Sequence, residues 1–476
     1  MLRLTSPTPP LSAAEQFALD ALVDQSRVLV VDSGDAIELR LVGSGAAPTI
    51  AGARGRNWCI AVRDGVVELD RPLLALVKNV AGAELEQKSA AQDRYGRVPP
   101  TENALVRAKC EREPVVGQMA VALRQAAIAA AGRRRFALLA PWPHGKRWAI
   151  AVTHDLDVVS LWPAYSMLRI AQLAASRHLK RAANVATSMF GALTGDPVWH
   201  AAHRLLAVEK GAAVRSTWFA IAGTPTWSTI RAGDITYAPE SPPVRRILDA
   251  ARNDGHEIGL HGSFASFVNH DVFVQQRARL AAVAGGNANG VRQHFLRMRP
   301  GRSHEAMAQA GFTYDSTYGF SERNGFRLGV ADVIPIWSER EGRVAPIDEA
   351  PFVWMDRALS KYHHIEDPAV WIDDALVIAR ACREVNGLWT GIWHPNLVPA
   401  LGFPGAPAAF ERLLHGLQEH SPWSATLGDI VAWRRTRRAV RGSARESGPV
   451  KLSIAGDAHA VALENASGAR VEHVTA

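Results

Sequence analysis

The sequence predicts an α/β protein built around a closed barrel of parallel strands, with a small α/β unit before it and a short β-rich tail after it. Three observations predict this class. Between residues 148 and 433, about seven short apolar runs alternate with helical segments, which is the pattern of parallel βαβ units closing on themselves. Polar residues collect at the C-terminal ends of those runs, where barrels of this kind carry their active sites. Neither flank shows the alternation.

Residues 1–147 read as the N-terminal α/β domain. Leu19, Leu22 and Val23 mark an opening helix, RVLVVDSG, IELRLVG and WCIAV read as strands, DGVVELD as a hairpin, and 115–131 as a helix. No group of residues there converges on chemistry. Residues 133–135 and the APWPHGKR stretch of 140–147 mark a boundary, because two prolines and a glycine interrupt any regular element. Within the barrel, 148–433, strands are expected at WAIAVTHDLD, STWFAI, HEIGLHG, VRQHFLRM, GFTYDST, APIDEAPF and LWTGIWH, and helices at 242–253, 270–284, 303–310, 368–384 and 406–419. Residues 434–476 begin as the basic end of a helix and continue as KLSI, AVAL and ARVEHV around an NASG turn, a small β appendage.

A chain of 476 residues, 47% hydrophobic and 21% charged, can bury its core without disulfides and is not a disordered or coiled-coil chain. No apolar run reaches the roughly eighteen residues of a membrane span. The opening MLRLTSPTPPLSAAEQF lacks the apolar core of a secretory signal, and Cys59, Cys110 and Cys382 make no disulfide framework, so a cytoplasmic location is expected. The net charge of +8 is local. Arg169, Arg177, Lys180 and Arg181 fall in 158–195, and Arg434, Arg435, Arg437, Arg438, Arg441 and Arg445 in 434–445, both stretches free of acids. These segments suggest docking to an anionic carrier or a membrane. In 162–181, Met167, Ile170 and Ala174 recur at helical spacing beside the cations, as in an interfacial helix, although a solvated helix packed on the barrel is the plainer reading. No recognition motif accompanies the charge, so no nucleic-acid partner is expected.

Five constellations carry chemistry. In Thr153-His154-Asp155-Leu156-Asp157, strand alternation points Thr153, Asp155 and Asp157 together and His154 away, and two carboxylates on one face call for a cation or a shared proton. His261 ends HEIGLHG, where a neutral imidazole can ligate a metal. Arg292 and His294 share a face in RQHFLR, so a guanidinium and an imidazole can enter one site. Ile347-Asp348-Glu349-Ala350-Pro351 is followed by Trp354 and Asp356, and Trp389-Thr390-Gly391-Ile392-Trp393 leads into His394. Glu349, Trp354, Asp356 and Trp393 are candidate substrate-binding residues, because aromatic walls with a few polar groups suit a sugar ring. The alternative is that the tryptophans belong to the core.

The succession THDLD, EIGLH, RQHFLR and WH, each at a strand end, resembles the polysaccharide deacetylase superfamily, the NodB-homology domain. WPHGKRWAIAVTHDLD, GLHGSFAS and GFTYDSTYGF look most like its branch in bacterial surface-polysaccharide biosynthesis. The resemblance covers the barrel, and the first 147 residues only loosely. It implies a distorted (β/α)7 barrel and removal of acetyl groups from an N-acetylated sugar or glycan precursor with a divalent metal, zinc for preference. Carried over, Asp155 is the general base, Asp157 and His261 are metal ligands, Arg292 braces the base, the Phe295 N–H holds the oxyanion and His394 protonates the leaving amine. One departure matters: the family's second ligand histidine, four residues after His261, is Ala265 here. Catalytic zinc keeps three protein ligands plus water. His294 is the expected replacement, with Ser266, His270 and His304 as weaker candidates. A catalytically silent glycan-binding or scaffolding protein of the same fold is the competing expectation. A nucleotide-linked or lipid-linked precursor, with contact to the inner membrane face, is the expected partner.

Overall fold

Local sequence signals place the first sheet. The structure, a computed structural model, describes residues 2–5, 9–30, 36–132, 136–234, 237–443, 451–454, 463–465 and 470–471. Strands β1 (Leu2–Leu4), β2 (Ile37–Val42), β3 (Ile60–Arg63) and β4 (Val66–Asp70) form a sheet in the order β1-β2-β4-β3. β3 and β4 are the expected hairpin: Asp64 and Gly65 both take positive φ, 50° and 73°, as a two-residue turn between twisted strands requires. The RVLVVDSG run contributes isolated bridges at Val28 and Val30, and its residues 31–35 lie outside the described residues. Trp58 and Cys59, expected in a strand, form a positive-φ turn ahead of β3.

The core of this unit, with Phe17, Leu22, Leu74, Met119 and Leu123, runs on into Leu328, Val330, Ile334, Ile336 and Trp337. The N-terminal unit is therefore fused to one edge of the main sheet. β5 (Ala137–Leu139) follows it.

The main sheet contains β6 (Ala149–Leu156), β7 (Thr217–Ile221), β8 (Glu257–Gly262), β9 (Gly290–Gln293), β10 (Tyr314–Asp315), β11 (Ile334–Ser338), β12 (Arg343–Glu349), β13 (Trp354–Met355) and β14 (Leu388–Ile392). Their order is β11-β12-β10-β9-β8-β7-β6-β14-β13, with β15 (Trp423–Ser424) also on β6. All pairings are parallel except β11 with β12. Among the described residues no pairing joins the two ends, so the expected closed barrel is replaced by an open path. The physical reason lies at the edges. β11 runs antiparallel and is covered by helix Ala13–Ser26, with Phe17 and Trp337 ring centroids 5.7 Å apart, while β13 is two residues long.

The sheet nevertheless curls around an interior. β6 and β9 are three strand positions apart, about 14 Å in a flat sheet. Arg292 of β9 nonetheless reaches to 2.8 Å from Asp155 of β6. Side chains standing off a flat sheet could not meet this way. The curl is backed by helices Pro197–Gly211, Pro242–Asn253, His270–Ala284, Pro368–Glu384 and Ala406–Gln418, whose apolar faces complete the main core. Four of these match expected helices, and Arg302–Gln309 is offset by one residue from 303–310.

Two charge-based expectations change. The stretch 162–181 is broken: helix Trp162–Ala175 ends, Arg177 takes φ 61°, and helix Leu179–Gly191 begins, so Arg177, Lys180 and Arg181 leave the helix of Met167. The arginines of helix Leu427–Ala439 are spent internally. Arg434 is buried and bonds Asp24 (2.8 Å) and Asp332 (2.6 Å), Arg437 donates to the Pro141 carbonyl, and Arg435 and Arg438 both reach Asp348. Arg434 and Arg437 fasten the N-terminal unit to this helix, Arg435 stays partly exposed, and Arg445 and the Arg441 side chain lie outside the described residues. The tail adds β16 (Val440–Ser443), β17 (Lys451–Ile454), β18 (Leu463–Asn465) and β19 (Arg470–Val471), with β18 pairing β5. The NASG turn lies largely outside the described residues. Among the described residues no helix is long and apolar enough to cross a membrane.

Candidate active site

Strand alternation in β6 sets the site's floor. Thr153 and Asp155 face the interior, where Arg292 Nη1 donates to Thr153 Oγ1 (2.7 Å) and Asp155 Oδ1 (2.8 Å). Arg292 is fully buried. Its Nε and Nη2 donate to the Ser316 carbonyl and hydroxyl, and its plane lies over the Phe219 ring. Burial alone would raise the Asp155 carboxyl, but Arg292, then His261 and His394, outweigh it and hold it below the usual carboxylate range. His154 faces away as expected, its ring between the Trp393 carbonyl (2.7 Å) and Glu209 (2.9 Å).

Asp157, one residue beyond β6, is where three imidazoles converge. His261 Nε2 lies 3.2 Å from Asp157 Oδ1, His294 Nε2 3.5 Å from the same oxygen, and His394 Nε2 3.5 Å from Oδ2. Each ring is held through its other nitrogen. His261 Nδ1–H donates to the Arg292 carbonyl (2.9 Å), His294 Nδ1–H to Asp234 Oδ1 (2.7 Å) and His394 Nδ1–H to Asp356 Oδ1 (2.7 Å). An acceptor at each Nδ1 directs that ring's Nε2 at the centre; once deprotonated there, His261 and His294 present lone pairs, as metal-ligating histidines need, whereas His394 keeps its Nε2 proton. Burial opposes charge on Asp157, yet His294, the hydrogen bond with His261 and His394 hold its carboxyl well below the usual range. Burial likewise opposes charge on His394, and Asp356, with Asp157 and Asp155, raises it above the ordinary histidine value.

Asp157, His261 and His294 each offer a ligand atom within 4.8 Å of the others. One carboxylate oxygen and two Nε2 lone pairs, each backed by a second hydrogen bond, form an N,N,O set that suits a divalent ion such as zinc with a position left open. The weaker candidates are engaged elsewhere. Ser266 Oγ donates to the Ser263 carbonyl (2.7 Å) and lies 2.9 Å from the Gln293 side chain, and His270 sits half-exposed beside Asp271. His304 forms a second buried group with Asp315 and Glu349. Its Nδ1 accepts the Gly301 N–H (3.1 Å), which leaves the proton on Nε2, directed at Glu349 (3.1 Å). A ring nitrogen that carries a proton cannot ligate. Burial, with Asp315 adjacent, pushes Glu349 well above the carboxylate range.

The expected substrate contacts divide. Asp356 joins the site, though as the fully buried partner of His394, accepting both its N–H (2.7 Å) and its Nδ1–H. Glu349 is buried in the His304 group, and Trp354 and Trp393 lie in the core, stacked with centroids 6.2 Å apart. The alternation that turns His394 inward turns Trp389 and Trp393 outward against the helices, a signal present in the sequence. β9 stops at Gln293, so His294 enters the site from a turn in which Phe295 and Leu296 take positive φ (59° and 54°) rather than from the strand face.

Two contributions were missed. Asp234 lies in an irregular loop after β7, where no periodicity marks it. The N-terminal unit, in which no chemistry was expected, sends Arg97 to the Phe295 carbonyl (3.1 Å) and stacks Tyr95 on the Phe295 ring (4.9 Å). Two cavities adjoin the centre and share Asp157, His294, Phe295 and Arg357 in their walls. One of about 100 Å³ holds Asp155, His261 and His394; the other, of about 290 Å³, opens beside it.

No protein-family model and no curated protein matches the sequence. Among solved structures, the chain is similar to a candidate polysaccharide deacetylase from Mycobacterium smegmatis, at 21% identity over 65% of this chain and 96% of that one, TM-score 0.42. It is also similar to the chitin deacetylase from the fungal pathogen Colletotrichum lindemuthianum (13% identity, 59% and 86% covered, TM-score 0.30). A third is the family 4 acetyl xylan esterase from Clostridium thermocellum in complex with a cobalt ion (13%, 60% and 91%, TM-score 0.30). The likeness is distant, and the site's own geometry carries the functional reading.

Proposed function

We propose that the protein is a metal-dependent hydrolase that removes an N-acetyl group from an amino sugar in a surface-glycan precursor. The observation that carries this reading is the pairing of an ionised carboxylate, Asp155, with three Nδ1-anchored imidazoles around Asp157. Asp157, His261 and His294 would hold the divalent ion, which supplies Lewis-acid polarisation when bound.

The chain's own residues have separate tasks. Asp155, kept charged by Arg292, accepts a proton from the water that attacks the amide carbon. The Phe295 N–H, on the turn after β9, would donate to the carbonyl oxygen as negative charge develops there. His394, kept as an imidazolium by Asp356 and the neighbouring carboxylates, holds its Nδ1–H on Asp356 and gives its Nε2 proton to the departing nitrogen. Acetate and a free amine result. A silent glycan-binding protein needs neither an arginine-braced carboxylate nor an aspartate-backed histidine.

Acetate release from N-acetylated amino sugars, measured with zinc-loaded protein, tests the assignment. Asp155→Asn and His394→Gln are each expected to lower kcat by about 10²–10⁴-fold with the metal retained. Undiminished acetate release in both variants, or none from the wild type with any such sugar, refutes it.

A further inference from the structure

The larger chamber beside the catalytic centre is lined by cations that the hydrolytic reading does not use. Arg169 and Arg357 stand over the same Phe403 ring, at 5.9 and 5.5 Å from its centroid, and both line this chamber. Arg357 also faces the catalytic cavity, together with Lys361 and Arg97. Arg97 is paired with Asp93 (2.6 Å). Among the described residues no carboxylate pairs with Arg169, Arg357 or Lys361, and the only acids in either wall are Asp155 and Asp157, already committed to the centre.

These groups are poorly satisfied as they stand. Arg169 Nε is buried with no hydrogen-bond partner, and so is Asn396 Oδ1 in the same wall. Burial, with Arg357 next in effect, lowers both Arg169 and Lys361 from their ordinary values, Lys361 to about 8. Partly desolvated cations that repel one another are costly unless an anion completes them. A neutral glycan supplies no such charge. Guanidiniums that converge on a cavity match the oxygens of a phosphoryl group, whereas Asn396 and Tyr165 can bond sugar hydroxyls. At about 290 Å³ the chamber sits at the small-molecule end of binding pockets.

We propose that this chamber is a phosphoryl subsite, so that the amide presented to Asp155 and His394 belongs to an amino sugar linked to phosphate or diphosphate. The proposal rests on the hydrolase reading for its substrate but not for its anion. Arg169 and Arg357 clamp the phosphoryl oxygens, Lys361 adds charge at the junction of the two cavities, and the sugar spans the shared wall at Phe295.

Isothermal titration of the full-length, metal-loaded protein with inorganic pyrophosphate is the test, beside acetate release from N-acetylglucosamine 1-phosphate, its uridine diphosphate derivative and neutral N-acetylglucosamine oligomers. Saturable pyrophosphate binding is expected, weakened roughly ten- to a hundredfold in Arg357→Ala and in Arg169→Ala. Arg63→Ala, on the exposed N-terminal hairpin, should bind as the wild type does. Displacement by uridine diphosphate would assign a nucleotide carrier, and displacement only by vesicles containing polyprenyl phosphate a lipid carrier. Absence of pyrophosphate binding, or binding by both arginine variants equal to that of the wild type, overturns the subsite. Binding as expected without acetate release from any sugar leaves the subsite standing and removes the hydrolase reading; acetate release without pyrophosphate binding does the reverse.

Discussion

Asp234→Asn is the sharpest probe of how His294 is held. Asp234 is fully buried and accepts two N–H groups, His294 Nδ1–H on Oδ1 at 2.7 Å and the Phe264 N–H on Oδ2 at 2.6 Å. Asparagine keeps one acceptor oxygen and replaces the other with an amide NH2 donor. If its oxygen serves Phe264, the amide NH2 meets His294 Nδ1–H and drives that proton to Nε2, where it blocks ligation. If the oxygen serves His294, the Phe264 N–H is left facing a donor. The first outcome weakens metal binding, and loss of a hydrogen-bonded partner behind a ligand histidine costs about 10- to 100-fold in affinity, or ~1.4–2.8 kcal/mol. The second appears as about 1–3 kcal/mol of lost stability in metal-free protein. Competitive chelator titration with zinc separates the two, alongside urea unfolding of the metal-free forms. Zinc affinity within twofold of wild type and an unchanged unfolding midpoint would refute the role assigned to Asp234. Glu349→Gln, in the group whose histidine has the opposite tautomer, should leave zinc affinity unchanged.

Three further expectations follow from the same geometry. Asp356→Asn should lower kcat by about 10²-fold or more with little change in KM, because His394 loses the acceptor that fixes its proton; steady-state acetate assays would show it. Burial would raise the Asp24 carboxyl, but Arg434 and its arginine neighbours hold it below the usual range, so its stabilisation is complete above the unfolded value of about 3.9 and fades as pH falls through the lower folded value. Asp24→Asn should therefore destabilise the protein by about 3 kcal/mol at pH 7 and flatten the acid limb of its pH–stability curve, as read by urea midpoints. Gly290→Ala places a Cβ 2.1 Å from the Tyr314 ring, so a shifted Tyr314–Glu257 hydrogen bond and a loss of about 1–3 kcal/mol are expected in thermal unfolding.

What could be read from the sequence follows from periodicity. Period-two alternation turned Thr153, Asp155 and Arg292 to the interior, as the structure has them, because a strand fixes side-chain direction before any tertiary contact is known. It did not reach Asp157 and His294, which lie past the strand ends. The same rule, applied through Trp393 as well as His394, would have sent the tryptophans to the core. The contribution of Asp234 was not legible, since an irregular loop has no period and its meaning depends on a histidine sixty residues further on. Nor was the fate of Arg434 to Arg438. Composition marks the helix as basic, but Asp24, Asp332 and Asp348, distant in sequence, neutralise it. Closure of the barrel failed for a comparable reason: pattern counts strands, whereas the edge is decided by what packs there, here the helix Ala13–Ser26.

The proposed metal centre is tested most directly by anomalous diffraction from zinc-loaded crystals. The expected result is one peak about 2.0–2.2 Å from an Asp157 carboxylate oxygen and from Nε2 of both His261 and His294. A peak within the His304, Asp315 and Glu349 group, or one at Asp157 and His261 with His294 turned away, would contradict it.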